Sequence, residues 1–268
     1  MIHVERIDSR PIRELHYLNA ARRGGTEICR LPILRGVATG LPTGCEAVVL
    51  ASDLQGISSS RFGPSELLGV ALAEFLEELA EDGLIPSIER TGVVLAGDLY
   101  SHPAAAKRGG MGDVCSVWRA FAEAFAWTMG VAGNHDDFGG PKGIERLVRQ
   151  TGAVVLDGEV VDEGGLRFGG VSYVAGHEGR PGRRPAEDQF ALIDLVLEAQ
   201  THVLVLHEGP CAGDTQAGNA EIRNRLLAAP SPPQLTVCGH VHWDDPLGHL
   251  PRGLQVVNVD SRVVLLTA

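Results

Sequence analysis

The chain has 268 residues, with 34 acidic against 23 basic side chains for a formal charge of −11, and it is 44% hydrophobic but only 5% aromatic. That length buries a substantial core without disulfides or a structural metal, and the acidic balance argues against an extended polyanion as partner, because phosphate backbones are held chiefly by Lys and Arg. Its 34 glycines and 15 prolines follow no collagen period, heptad or longer repeat, which excludes fibrous and solenoid architectures.

Residues 1–46 show no clear periodicity, and Arg22-Arg23-Gly24-Gly25 reads as a turn. This segment is expected to be an extension packed on a single domain spanning 47–268. Strands are predicted at 47–51, 92–96 and 129–132, each running into small or chemically special residues. Between them, apolar positions Leu68, Leu72, Phe75, Leu76 and Leu79 predict an amphipathic helix over 65–82. Further helices are predicted over 114–127 and 142–150. The second half is richer in strands, with hairpins expected among 154–155, 159–161 and 166–174. A helix over 185–199 precedes the buried strand 203–206, and another over 220–228 precedes the strand 235–238. The segments 255–259 and 262–267 are expected to close the chain as a hairpin through Asp260-Ser261. Alternation of strand and helix argues for an α/β fold, in which ligands gather at the carboxyl edge of the strands.

The five cysteines are scattered, with no Cys-x-x-Cys pair, and read as reduced thiols of a cytoplasmic protein. Charges recur every few residues in MIHVERIDSRPIREL, so no export signal is predicted, and no run is long enough to span a bilayer.

Seven polar residues follow or end the apolar runs: Asp53, Asp98, Asn134, His135, His207, His240 and His242. Carboxylates, an amide oxygen and imidazoles form a mixed oxygen and nitrogen set suited to Mn²⁺, Fe or Zn²⁺, without the thiolates of a structural zinc site. His240 and His242 lie two apart, so an extended segment turns both rings to one side.

These blocks, Asp53-Leu54-Gln55, Gly97-Asp98, Gly133-Asn134-His135-Asp136, a strand-terminal His207 and Gly239-His240-Val241-His242, resemble the calcineurin-like metallophosphoesterase superfamily in order and type. The resemblance implies a four-layer α/β sandwich of two mixed sheets flanked by helices, with two divalent ions at the strand ends. It makes Asp98 the bridging carboxylate, gives Asp53 and His242 to the first ion, and gives Asn134, His207 and His240 to the second. His135 would stand near the scissile phosphate as general acid, with Asp136 as an orienting partner. The implied activity is hydrolysis of a small phosphomonoester or phosphodiester, nucleotides included, by a metal-bridging hydroxide. Two cations against two carboxylates would leave a locally positive pocket in an acidic protein. A binding scaffold with a weakened metal site and a nuclease are the alternatives. Against the nuclease, no basic stripe or appended domain is visible.

Gln55 stands where the family usually has histidine, a weaker ligand. It would ligate directly, act through a water, or leave the first site partly filled. After Asp98 the chain reads Leu99-Tyr100-Ser101-His102, lacking the Asp and Arg of Ser/Thr protein phosphatases. Tyr100 is a candidate pocket residue, with Asn134 and His135 as further substrate contacts. In GRPGRRP, Arg180 is the candidate for gripping phosphate, the other reading being a solvated loop.

Overall fold

Runs rich in Val and Leu with no polar interruption become the inner strands of two sheets, because strands covered on both faces need apolar residues at every position. The computed structural model describes residues 2–59, 65–107, 109–177 and 179–268. The first part of the chain forms β1 (His3–Ile7), β2 (Arg13–Ala20), β3 (Thr26–Thr39), β4 (Ala47–Ser52), β5 (Ile57–Ser59), β6 (Ser65–Leu67) and α1 (Leu68–Glu81). Then follow β7 (Thr91–Leu95), β8 (Gly112–Asp113), α2 (Cys115–Ala124), β9 (Trp127–Gly130), β10 (Asp136–Asp137), α3 (Gly143–Thr151) and β11 (Val154–Val155). The remainder gives β12 (Val160–Glu163), β13 (Leu166–Val171), β14 (Val174–Ala175), β15 (Arg183–Arg184), α4 (Ala186–Glu198), β16 (Val203–Glu208), α5 (Ala220–Ala228), β17 (Leu235–Gly239), β18 (Leu247–Leu250), β19 (Leu254–Asn258) and β20 (Arg262–Thr267).

One mixed sheet runs β11-β9-β7-β4-β20-β3-β2-β5-β6 with β1 added on β3, and a second runs β12-β13-β16-β17-β19-β18. The parity of each strand decides which layer its side chains enter. Val49, Ala51, Val93 and Leu95 pack against α1 and α2, beside Leu72, Leu76 and Trp118. Their neighbours Val48, Leu50, Val94 and Ala96 point the other way, into a core shared with Val203, Val205 and Val237 of the second sheet. The outer face of that sheet, with Leu204 and Val256, is covered by Ile193 and Val196 of α4 and Ile222 and Leu226 of α5. The architecture is thus helix, sheet, sheet, helix, as expected.

Helix boundaries follow local chemistry. Asn219 caps α5 by accepting from the amides of Glu221 at 2.9 Å and Ile222 at 3.3 Å, and α3 ends at Gly152 with φ +74°. Trp118 is fully buried on α2 with its ring 6.2 Å from Phe138. Trp118→Ala is therefore expected to cost roughly 3–5 kcal/mol in denaturant unfolding. A loss below about 1 kcal/mol would show that α2 repacks over the gap.

Three expectations are corrected. Residues 3–39 form β1 to β3 within the ten-stranded sheet rather than a segment lying on it. Arg13 to Ala20 pairs with Thr26 to Ile33 around the predicted turn, but uneven burial had masked its alternation. The segments β19 and β20 do not form a hairpin: β19 lies between β17 and β18, while β20 lies between β3 and β4 of the other sheet. Asp260-Ser261 is a crossover between layers, with Ser261 at φ +54°. Likewise β11 pairs with β9 in the first sheet, and only β12 and β13 make the expected antiparallel pair. The N-terminal strand is clasped to the second sheet by buried Gln255, which accepts from the Val4 amide at 2.8 Å and donates to its carbonyl at 2.7 Å. Among the described residues no helix is long and apolar enough to cross a membrane.

Candidate metal centre

In the first sheet β4, β7 and β9 are parallel, so their carboxyl ends deliver Asp53, Asp98 and Asn134 to one edge. Parallel β16 and β17 deliver His207 and His240 from the second sheet to the same place. A bridge between Ser52 and Asp260, and a contact of 2.7 Å between His207 Nδ1 and the Ala96 carbonyl, join the two edges. Three of the site residues leave their strands in the left-handed region: Asp53 at φ +54°, Asp98 at +55° and His240 at +68°. That conformation costs of order 1–3 kcal/mol per non-glycine residue and turns each side chain sharply off its strand. The close packing also explains Gly239, since a Cβ there would overlap Ser52 Oγ and a carboxylate oxygen of Asp53.

Asp98 is the focus of the cluster. Its Oδ2 lies 3.3 Å from His207 Nε2, 3.9 Å from His135 Nε2 and 3.1 Å from the Gln55 carboxamide nitrogen, while Oδ1 accepts the His135 amide at 2.9 Å. Burial opposes ionisation of Asp98, yet the imidazoles of His207 and His135 hold its carboxyl below the usual range. Burial alone would lower His207, but the charges of Asp98 and Asp53 overrule it and push the ring up to about 10. His240 goes the other way, to about 4, through burial and the His207 charge, with Arg183 adding to it. Burial raises Asp53 to about 8, and the nearby Asp260 and Asp98 charges push in the same direction. Asp53 Oδ2 already accepts from Ser52 Oγ at 2.7 Å and from the His240 amide at 2.9 Å.

Donor atoms of Asp98, His207 and His240 lie within 4.8 Å of one another. The rings of His207 and His240 stand edge to face with centroids 5.0 Å apart. His207 Nδ1 faces a carbonyl, which fixes a proton there and leaves Nε2, turned to Asp98, as the atom that could bind a cation. Asn134 Oδ1 is buried without a hydrogen-bond partner, while His207 Nε2, equally buried, has only the Asp98 carboxylate, 3.3 Å away. The converging carboxylate and two imidazoles, with a buried amide oxygen that lacks a partner, fit a borderline divalent cation. Such an ion would displace the proton that Asp98 otherwise keeps on His207.

The other expected residues are placed differently. Asp136 does not orient His135: its carboxylate accepts the amides of Asp98 at 2.9 Å, Leu99 at 2.7 Å and Gly133 at 2.9 Å, tying together the two loops that carry the ligands. The orienting partner of His135 is the Gly110 carbonyl, 3.0 Å from Nδ1, which leaves Nε2 facing Asp98. His242 is turned outward with its side chain 57% exposed, and contacts Asp260 and Arg262 rather than the cluster. Arg180 is exposed on its loop, whereas Arg183 lies near enough to His240 to lower its pKa and Arg184 is spent on Asp157 at 2.7 Å and Gln189 at 2.9 Å. Tyr100 lines a cavity of about 400 Å³ together with Asn19, Arg22, Gln55, Lys107 and His242. Gly110 and Arg262 carry no motif, and only the topology brings them to the site, while Arg183 belongs to the GRPGRRP cluster in which Arg180 was the expected contact.

Residues 47–244 match the family model described as calcineurin-like phosphoesterase. No curated protein matches the chain. Among solved structures it is similar to a 5'-nucleotidase precursor from Thermus thermophilus, at 14% identity over 80% of this chain and 48% of that one, with a TM-score of 0.42. A putative 5'-nucleotidase from Staphylococcus aureus gives 15% identity over 82% of this chain and 50% of that one, with a TM-score of 0.49. The calcineurin-like phosphoesterase YfkN of Bacillus subtilis gives 14% identity over 80% and 81%, with a TM-score of 0.45. The chain thus spans about half the length of the two nucleotidases it resembles. With a family match over residues 47–244 and most of the motif residues at the meeting edges of two sheets, the chain belongs to the calcineurin-like phosphoesterases.

Proposed function

We infer that the protein is a metal-dependent hydrolase of small phosphomonoesters or phosphodiesters. The observation that carries this reading is the convergence of the Asp98, His207 and His240 donor atoms to within 4.8 Å of one another, with the Asn134 oxygen buried and unpartnered. Asp98, Asn134, His207 and His240 would hold a divalent ion, which supplies charge for the phosphoryl oxygens and a lowered pKa for water.

The remaining work falls to the chain. His135 carries its proton on Nδ1 toward Gly110 in the neutral form, so Nε2 is the atom that takes up and gives back a proton. Protonated, Nε2 faces the Asp98 charge and is placed to donate to the leaving-group oxygen. Asp136 holds the Asp98 and Gly133 loops in register through three amides, acting on position rather than on substrate. A cavity of about 400 Å³ admits a compact substrate, and its wall includes Asn19 and Arg22 from the first 46 residues, which we therefore read as part of the catalytic unit.

The test compares p-nitrophenyl phosphate with bis-p-nitrophenyl phosphate in Mn²⁺. His135→Ala is expected to lower kcat by about 10²–10⁴-fold while its metal content matches that of wild type. Equal turnover by wild type and His135→Ala would remove the enzyme's assigned acid. The ratio of the two rates separates monoester from diester preference.

A further inference from the structure

The resemblance gives Asp53, Gln55, Asp98 and His242 to a first ion, and here the residues do not fit one. Gln55 donates from its carboxamide nitrogen to Asp98 Oδ2 at 3.1 Å, so it turns the group without a lone pair to the carboxylate that would share the ion, and only its Oε1 could serve a cation. His242 has a guanidinium nitrogen of Arg262 at 3.0 Å from Nε2 and 3.2 Å from Nδ1. Arg262 is held in place: it is 5% exposed, donates to the Trp243 carbonyl, and reaches the Asp260 carbonyl at 3.3 Å. A permanently charged guanidinium against the ring repels a second cation there and competes for the single lone pair of the neutral imidazole. Only Asp98, His207 and His240, all of the second set, converge among the described residues, and Asn134 of the same set has a buried oxygen without a partner.

The side chains released from the first ion line the cavity instead. Gln55 and His242 line it, Arg22 comes from the turn between β2 and β3, and Lys107 from the loop after β7. Gly110, which lines the same cavity, holds the His135 ring, so the space adjoins the reacting position. Neither Arg22 nor Lys107 has a carboxylate partner among the described residues, although the chain is acidic overall. Asp260, an acid in the lining, faces His242 Nδ1 at 3.6 Å.

We propose that this chain holds a single resident ion, on Asp98, Asn134, His207 and His240, and that the space beside it is a subsite for a second anionic group of the substrate. That group, a carboxylate or a phosphate, meets Arg22 and Lys107 and is oriented by Gln55 and His242. The subsite rests on the phosphoesterase reading above, and its test keeps the two apart.

Protein loaded with excess Mn²⁺ and desalted is expected to retain one ion per chain. His242→Ala should retain the same ion, and His207→Ala should lose it. Two ions in wild type, or loss of an ion in His242→Ala, overturns the single-ion assignment. No retained ion and no hydrolysis of any phosphoester would instead overturn the function itself.

The subsite is read with a matched pair, glycerol 3-phosphate and 3-phosphoglycerate, which differ by one carboxylate. Phosphate release should favour 3-phosphoglycerate by at least about tenfold in kcat/KM, and Arg22→Ala with Lys107→Ala should erase that preference through KM. Equal use of the two, equal losses on both in the variant, or turnover of p-nitrophenyl phosphate with neither, each overturns the subsite.

Discussion

Asp98→Asn is expected to yield a folded protein that no longer retains a divalent ion and whose kcat/KM falls by well over about 100-fold, since even changes behind the ligands cost about 10–100-fold in metal affinity or activity. The size of the effect follows from how many groups depend on one charge. Asp98 accepts the Gln55 carboxamide and the His135 amide, faces His207 Nε2, and is the attraction that pushes the His207 ring up. An amide in its place sets a donor against a donor at Gln55 or gives up the His135 amide, and it removes the charge that draws a cation. Metal analysis and melting with and without Mn²⁺ check both halves. Wild type should gain thermal stability with the ion, as any ligand specific to the native state requires, and Asp98→Asn should not. Retention of the ion with unaltered kinetics would show that Asp98 is peripheral.

Gly133→Ala is expected to cost about 1–3 kcal/mol of stability and to weaken metal retention together with it. A Cβ at this position would overlap Asp98 Oδ1 and the Asp98 backbone nitrogen. Neither atom is free to move, because Oδ1 accepts the His135 amide and the nitrogen donates to Asp136, which also binds the Gly133 amide. The strain therefore spreads through the two ligand loops rather than relaxing locally. Denaturant unfolding and Mn²⁺ titration measure the two losses. A variant destabilised but with undiminished metal affinity would mean that the loops tolerate separation.

Much of this was readable from the residues. Val48 to Ala51 and Val93 to Leu95 announced doubly covered strands through unbroken apolar character, and the helix expected over 220–228 has those bounds. The site residues were visible because chemistry sits where those runs stop. What escaped has a common cause in long-range placement. The β2–β3 pairing carries a weak pattern, since its faces are unevenly buried. The 255–267 region reads as a hairpin locally, yet its strands belong to different sheets. Arg262 looked like the first residue of a strand, and only the crossover brings it against His242. Asp136, adjacent in sequence to His135, serves instead the amides of residues 98 and 99. Spacing reports neighbours along the chain, and these roles were set by neighbours across it.

The position of β20 bears on how the molecule is made. Residues 262–267 are not an edge but the strand between β3 and β4, paired in parallel with Ile33 to Val37 and antiparallel with Ala47 to Ser52. During synthesis, β3 and β4 therefore emerge with their facing edges bare and wait for a segment that lies far downstream in the chain. Joining them demands contacts of very large sequence separation, the kind that slow folding and leave unpaired edges open to aggregation. Asp53, Asp98, Asn134, His207 and His240 all precede this strand in the chain, so the sheet that carries three of them is closed by a segment made after every one of them.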